Sequence, residues 1–152
     1  MATTPVSTDQ IAVLQGALAA EYAAIYGYGV VGAYLSGKEQ GDAMSDWQLH
    51  QDARDTLSQM ISKLGGTPVA SSAAYDLPFT VDSVTTARRL AAVIEEGVTR
   101  AYLGVVAVGN AKLRTFGALA MQGPANRAIA WGGTPTAFPG MTSAPAGAAT
   151  DR

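Results

Sequence analysis

Apolar residues recur at spacings of four and three along the first part of the chain. Leu14, Leu18, Ile25, Tyr28, Gly32 and Leu35 fall in one narrow sector at about 100° per residue, which predicts a helix ending near Leu35. Ser7, with Gln10 three residues on, reads as a capping box at its start. Ser36-Gly37 breaks the pattern. A second helix is expected from about Lys38 to Leu64, with Ala43, Trp47, Leu57, Ile61 and Leu64 in its seam; Gly65-Gly66 and then Thr67-Pro68 stop it. Residues 67–80 read as a connection. A third helix from Asp82 or Ser83 to about Val108 places Ala87, Leu90, Ala91, Ile94, Val98, Tyr102 and Val105 on one face. After Gly109-Asn110, a fourth runs from about Ala111 to Trp131, and Pro124 within it predicts a kink or a split. Gly132-Gly133 ends the helical region. Two short-loop hairpins joined by a longer crossover predict an all-α four-helix bundle over residues 7–132. Residues 133–152, rich in Pro, Ala and Gly, form an extended tail in which Phe138-Pro139 is an apolar pair suited to docking on the bundle or on a neighbouring chain.

Polar residues interrupt these seams at matching depth. Glu21 lies in the middle of the first apolar sector. His50 and Arg54 hold inward positions on the second helix, and Asp46, one turn before His50, is placed to pair with it. Glu95 flanks the apolar face of the third. On the fourth, Gln122 and Asn126 share a face with Leu119 and Ile129. Charge inside an apolar seam is costly unless it is paired. The expected core network is therefore Glu21, His50, Arg54 and Glu95, with Tyr28, Trp47, Gln122 and Asn126 as possible pocket lining.

This convergence resembles the ferritin-like superfamily. In that superfamily two metal ions sit in the bundle core, held by one Glu from each of helices 1 and 3 and by Glu-x-x-His from each of helices 2 and 4. Glu21, Glu95 and His50 match three of those positions. Trp47 stands at the helix 2 Glu position, and the fourth helix contains neither Glu nor His. More closely, the chain resembles an alanine-rich ferritin-like family of unknown function found in actinobacteria. The resemblance rests on Glu21-Tyr22-Ala23-Ala24-Ile25-Tyr26-Gly27-Tyr28-Gly29, His50 through Arg54-Asp55, Tyr75-Asp76-Leu77-Pro78, Arg89-Leu90-Ala91 leading to Glu95, Trp131, and Ala137-Phe138-Pro139-Gly140. It implies the fold, self-association and a modified core site, and brings no activity with it.

A dinuclear site takes roughly six protein ligands, four carboxylates and two imidazoles. Two carboxylates and one imidazole are on offer here, with an arginine in the same layer. Glu21 and Glu95 against Arg54 and a protonated His50 sum to zero without metal, so no cofactor is expected and Arg54→Leu is expected to destabilise strongly. The alternative is an iron or manganese site, or an oxidase remnant, using Glu21, His50 and Glu95. A further reading is a pocket lined by Tyr28, Trp47 and His50 that accepts a small ligand or a partner's tail.

Composition narrows the function classes. Charged residues are 14% of 152, with 10 basic and 12 acidic side chains and a net charge of -2, which argues against nucleic acid or an anionic membrane as partner. Cysteine is absent, and His50 is the single histidine, which excludes a 2-His-1-carboxylate iron site within one chain. No phosphate loop or nucleophile elbow is present. No targeting segment and no run of about 18 apolar residues are apparent, so a cytoplasmic protein is expected. Tyr22, Tyr26 and Tyr34, with the small residues Ala23, Gly27 and Gly29, favour a homodimer through the first helix. The expectation is a noncatalytic, self-associating bundle.

Overall fold

The computed structural model describes residues 8–108 and 110–141; Ser7 of the expected capping box and residues 142–152 of the tail lie outside them. Five helices follow in order: α1 Thr8–Ala33, α2 Gly37–Lys63, α3 Val84–Val108, α4 Ala111–Ala120 and α5 Gln122–Ala130. No strand occurs among the described residues.

The helix ends follow local chemistry. At the end of α2, Gly65 takes φ +84°, its N–H donates to Ser62 O at 3.0 Å, and Gly66 N–H donates to Ile61 O at 3.0 Å. That paired pattern satisfies carbonyls the helix leaves open and needs a residue without Cβ penalty at the turn. Gly132 and Gly133 repeat it after Trp131. At the start of α3, Ser83 Oγ accepts from Thr86 N–H at 3.2 Å and Thr86 Oγ1 accepts from Ser83 N–H at 3.0 Å, a reciprocal cap. Asn110 Oδ1 caps α4 through Leu113 N–H. The fourth helix is two, divided at Met121. Proline clashes with the carbonyl four residues back, here Ala120, where α4 stops.

α1 carries the fold. It packs against both α2 and α3, and α4 and α5 pack on α3. The connection from residue 67 to 83 carries the chain from the end of α2 back to the start of α3, giving the order up, down, down, up. Gln15 fixes its beginning: the side-chain amide donates to Thr67 O at 2.6 Å and accepts from Val69 N–H at 2.9 Å. Gly27 of α1, expected on a dimer face, is instead covered by Ile94 of α3, and Tyr26 lies against Tyr75 of the crossover with ring centroids 5.6 Å apart.

Two apolar clusters form the core. One gathers Leu14, Leu18, Leu57, Ile61, Val98 and Val105; the other gathers Val31, Leu35, Ala43, Ala87, Leu90 and Trp131. Glu21, His50 and Glu95 lie between them in sequence on all three long helices and are buried. In the tail, Pro139 and Gly140 lie against the Thr99–Arg100 turn of α3, whereas Phe138 is 70% exposed and does not dock on the bundle.

One edge of the bundle is open. α2 packs on α1 and not on α4 or α5, so the fourth side of the square is bridged only by side chains.

Candidate functional site

The polar layer is centred on His50. Its Nδ1 is 2.6 Å from Glu21 Oε2 and its Nε2 is 3.2 Å from Glu95 Oε1. A carboxylate at each ring nitrogen requires a proton at each, so the ring is an imidazolium donating on both sides. Burial works against that charge, but the hydrogen bonds and attraction of Glu21 and Glu95 outweigh it, and the imidazole is pushed up to about 9.

Two tyrosines complete the first ring of donors. Tyr102 OH donates to Glu21 Oε1 at 2.7 Å and Tyr28 OH to Glu95 Oε1 at 2.6 Å. Burial and the adjacent carboxylate hold both phenols far above the usual tyrosine range, so they remain donors.

The arginine of the layer is Arg127, from α5. Its Nε donates to Glu95 Oε1 at 2.8 Å and its Nη2 to Glu95 Oε2 at 3.1 Å, a bidentate pair on a fully buried carboxylate. Burial would raise the Glu95 carboxyl, yet His50 and Arg127 together hold it below the usual range. Asp46 sits at the edge, 3.9 Å from Arg127 Nε, and accepts the Trp131 indole N–H at 2.8 Å. Partial burial raises its carboxyl despite those partners.

The structure departs from several of the expected placements. Arg54 does not enter the layer: its guanidinium binds the neighbouring Asp55 at 2.8 Å at the surface. With Arg127 in place the layer is neutral, and a second buried arginine would leave an uncompensated positive charge. Asp46 pairs with Trp131 and not with His50. Trp47 is 36% exposed and lies off the pocket. Gln122 and Asn126 are exposed, and the Gln122 amide turns back to Ala118 O. Leu119, Gln122, Asn126 and Ile129 do share a face, but it is the solvent side of α4 and α5: Leu119 is 65% and Ile129 46% exposed. Within α5 the inward side is Pro124, Ala128 and Trp131, and Arg127 flanks it. Counting by threes and fours from the buried Pro124 to Trp131 was the signal that would have found it. Tyr28, expected as pocket lining, is in the network as a donor, and so is Tyr102, which its spacing places on the apolar face of the third helix.

Gly123 makes room for the arginine. A Cβ built there would stand 3.0 Å from Arg127 Nη1. Beside the layer, a cavity of about 290 Å3 occupies the open edge of the bundle. Leu49 and Ala53 of α2 form one wall, and Leu119 and Pro124 of α4 and α5 the other. Glu21, His50, Tyr102 and Arg127 lie at its floor.

The donor set does not fit the metal pair of the ferritin-like superfamily. The two carboxylates stand at different nitrogens of one ring, so they do not share a vertex with it. Glu95 is held by a guanidinium, and among the described residues no group of three or more Asp, Glu or His side chains converges on a metal position.

The chain is similar to known proteins along most of its length. Residues 13–143 match the domain of unknown function DUF4439, and the chain belongs to that family. The crystal structure of a conserved hypothetical protein, rv2844, from Mycobacterium tuberculosis is 33% identical, with a TM-score of 0.79 over 83% of this chain and 96% of that one. A ferritin-like, diiron-carboxylate protein from Bacillus anthracis str. Ames is 21% identical, with a TM-score of 0.70 over the same shares, which shows the ferritin-like fold alone. No curated protein matches the chain. No helix among the described residues is long and apolar enough to cross a membrane.

Proposed function

We propose that this member of the DUF4439 family is a noncatalytic binding bundle in which a charge-compensated network stands where the ferritin-like superfamily holds its metals. One observation carries the reading: His50 donates to Glu21 and Glu95 from its two nitrogens while Arg127 grips Glu95. Two positive and two negative groups cancel inside the layer. A dication entering it would have to displace the imidazolium proton and face a fixed guanidinium. The open cleft beside the layer is the natural place for binding. Self-association is a further part of the reading, supported by Tyr34, which remains exposed just past the end of α1; the small net charge of -2 supports a partner other than nucleic acid or anionic lipid.

The test is elemental analysis of the full chain produced with excess iron and manganese and then dialysed, paired with thermal melts. Substoichiometric metal and an unchanged melting temperature are expected. A specific site would show itself as a rise in stability of about 2.7 kcal/mol at a metal concentration one hundred times its dissociation constant. Retention of one or two ions per chain, lost in Glu21→Gln or Glu95→Gln, would refute the reading in favour of a metal-binding protein.

A further inference from the structure

We propose that the cleft between α2 and α4–α5 binds an uncharged amphipathic small molecule, with an oxygen-acceptor head at Arg127 and an aliphatic body between Leu49 and Leu119. The size of the space sets the scale. A cavity of about 150 Å3 takes a benzene ring, so about 290 Å3 takes a molecule of roughly twice that volume, such as an eight-carbon ketone. The walls set the body. Leu49 is 49% and Leu119 65% exposed on opposite lips, with Ala53 and Phe116 also lining the cavity. Two apolar lips left in water across a gap gain by covering a shared guest.

The floor sets the head group. Arg127 commits Nε and Nη2 to Glu95, while Nη1 lies on the Gly123 side, and both residues line the cavity. Tyr102 OH is committed to Glu21, so the arginine is the donor left for a guest. The charges of the floor already cancel, and Asp46 also draws on Arg127 from 3.9 Å. A carboxylate head would add a third anion to a guanidinium that already faces two. An ammonium head would meet Arg127 and the His50 imidazolium. A carbonyl, ether or hydroxyl oxygen takes the free N–H without disturbing that balance.

This inference rests on the compensated core, because a floor emptied of His50 and Arg127 charge would select differently. The experiment is a titration of the isotope-labelled full chain, followed by NMR, with 2-octanone, octanoate and octylamine in parallel. Saturable shifts at Leu49, Ala53, Leu119 and Gly123 with the ketone are expected, with the two charged analogues binding at least about tenfold more weakly. Ala53→Phe fills the cavity and should abolish the shifts. Leu119→Asp alters only an exposed lip, keeps the fold, and should weaken ketone binding by about tenfold or more. No saturable response to the ketone, equal or tighter binding of octanoate, or full binding by both variants would overturn the proposal. Metal retention in the elemental analysis refutes the compensated core by itself, whereas silence of the cleft in a metal-free protein refutes only the ligand assignment.

Discussion

Replacing Arg127 by leucine isolates the ion pair on which the neutral layer depends. The guanidinium makes both of its hydrogen bonds to Glu95, whose side chain is fully buried, and the variant leaves Oε2 of that carboxylate with no donor. Removing one partner of a buried pair costs about 3–5 kcal/mol, because the other charge stays behind. Arg127 itself is 20% exposed, so some of its attraction is already screened and the low end, about 3 kcal/mol, is expected. For a chain of this size that is a fall of about 6–12 °C in melting temperature. The loss has a pH signature. Without Arg127 burial pushes the Glu95 carboxyl upward, and a protonated Glu95 needs no counter-charge. The deficit should therefore shrink as the solution is acidified towards pH 5 and be largest near neutrality. Arg54→Leu is the control: its contact with Asp55 is a surface pair, for which about 0–1 kcal/mol is at stake. Thermal and urea melts of both variants, with Glu95→Gln in each background, give the coupling directly. Equal losses for Arg127→Leu and Arg54→Leu, or a loss unaffected by Glu95→Gln, would refute the placement of the arginine.

The same network makes stability depend on pH from the alkaline side. His50 rises from 6.5 unfolded to about 9 folded, so its contribution is complete below about pH 6.5 and is lost as pH rises through 9. The difference amounts to about 3 kcal/mol, read as urea midpoints at pH 6 and pH 10; His50→Gln should flatten the slope, and an unchanged slope would count against the imidazolium. Glu95 acts with the opposite sign, its held-down carboxyl withdrawing stability as pH falls below about 4.5. Two glycines give a packing test. Gly29→Ala has open space and should gain about 0.5–1 kcal/mol from helix propensity. Gly123→Ala puts a methyl 3.0 Å from Arg127 Nη1 and should lower the melting temperature instead; a rise in both would show that the arginine has room to move.

Much of the architecture is legible in the residue pattern because its signals are local. Gly65-Gly66 and Gly132-Gly133 end helices through bonds to their own last turns, and Pro124 breaks the fourth helix through its own ring. The depth of Glu21, His50 and Glu95 is legible too, since each sits on a long uninterrupted helix where phase is conserved over several turns. The arginine is not. Arg54 and Arg127 both flank an inward face, and one helix wheel cannot say which guanidinium reaches a neighbour's carboxylate. That depends on the gap between α2 and α5, a tertiary distance. Gln122 and Asn126 share a face with Leu119 and Ile129, as the spacing says, but spacing alone does not say that this face is the one turned to solvent. Trp131, just past the end of α5, binds Asp46 by a contact 85 residues away in sequence, which no local rule anticipates.

The long return segment between Thr67 and Ser83 divides the buried ions in a particular way. On its N-terminal side Glu21 has His50; on its C-terminal side Glu95 has Arg127. The first pair of helices therefore contributes one buried acid and one buried base to the layer, and the second pair contributes another of each. The balance of the layer is thus written into each half of the chain, and the contact of His50 Nε2 with Glu95 is among the bonds that tie one half to the other.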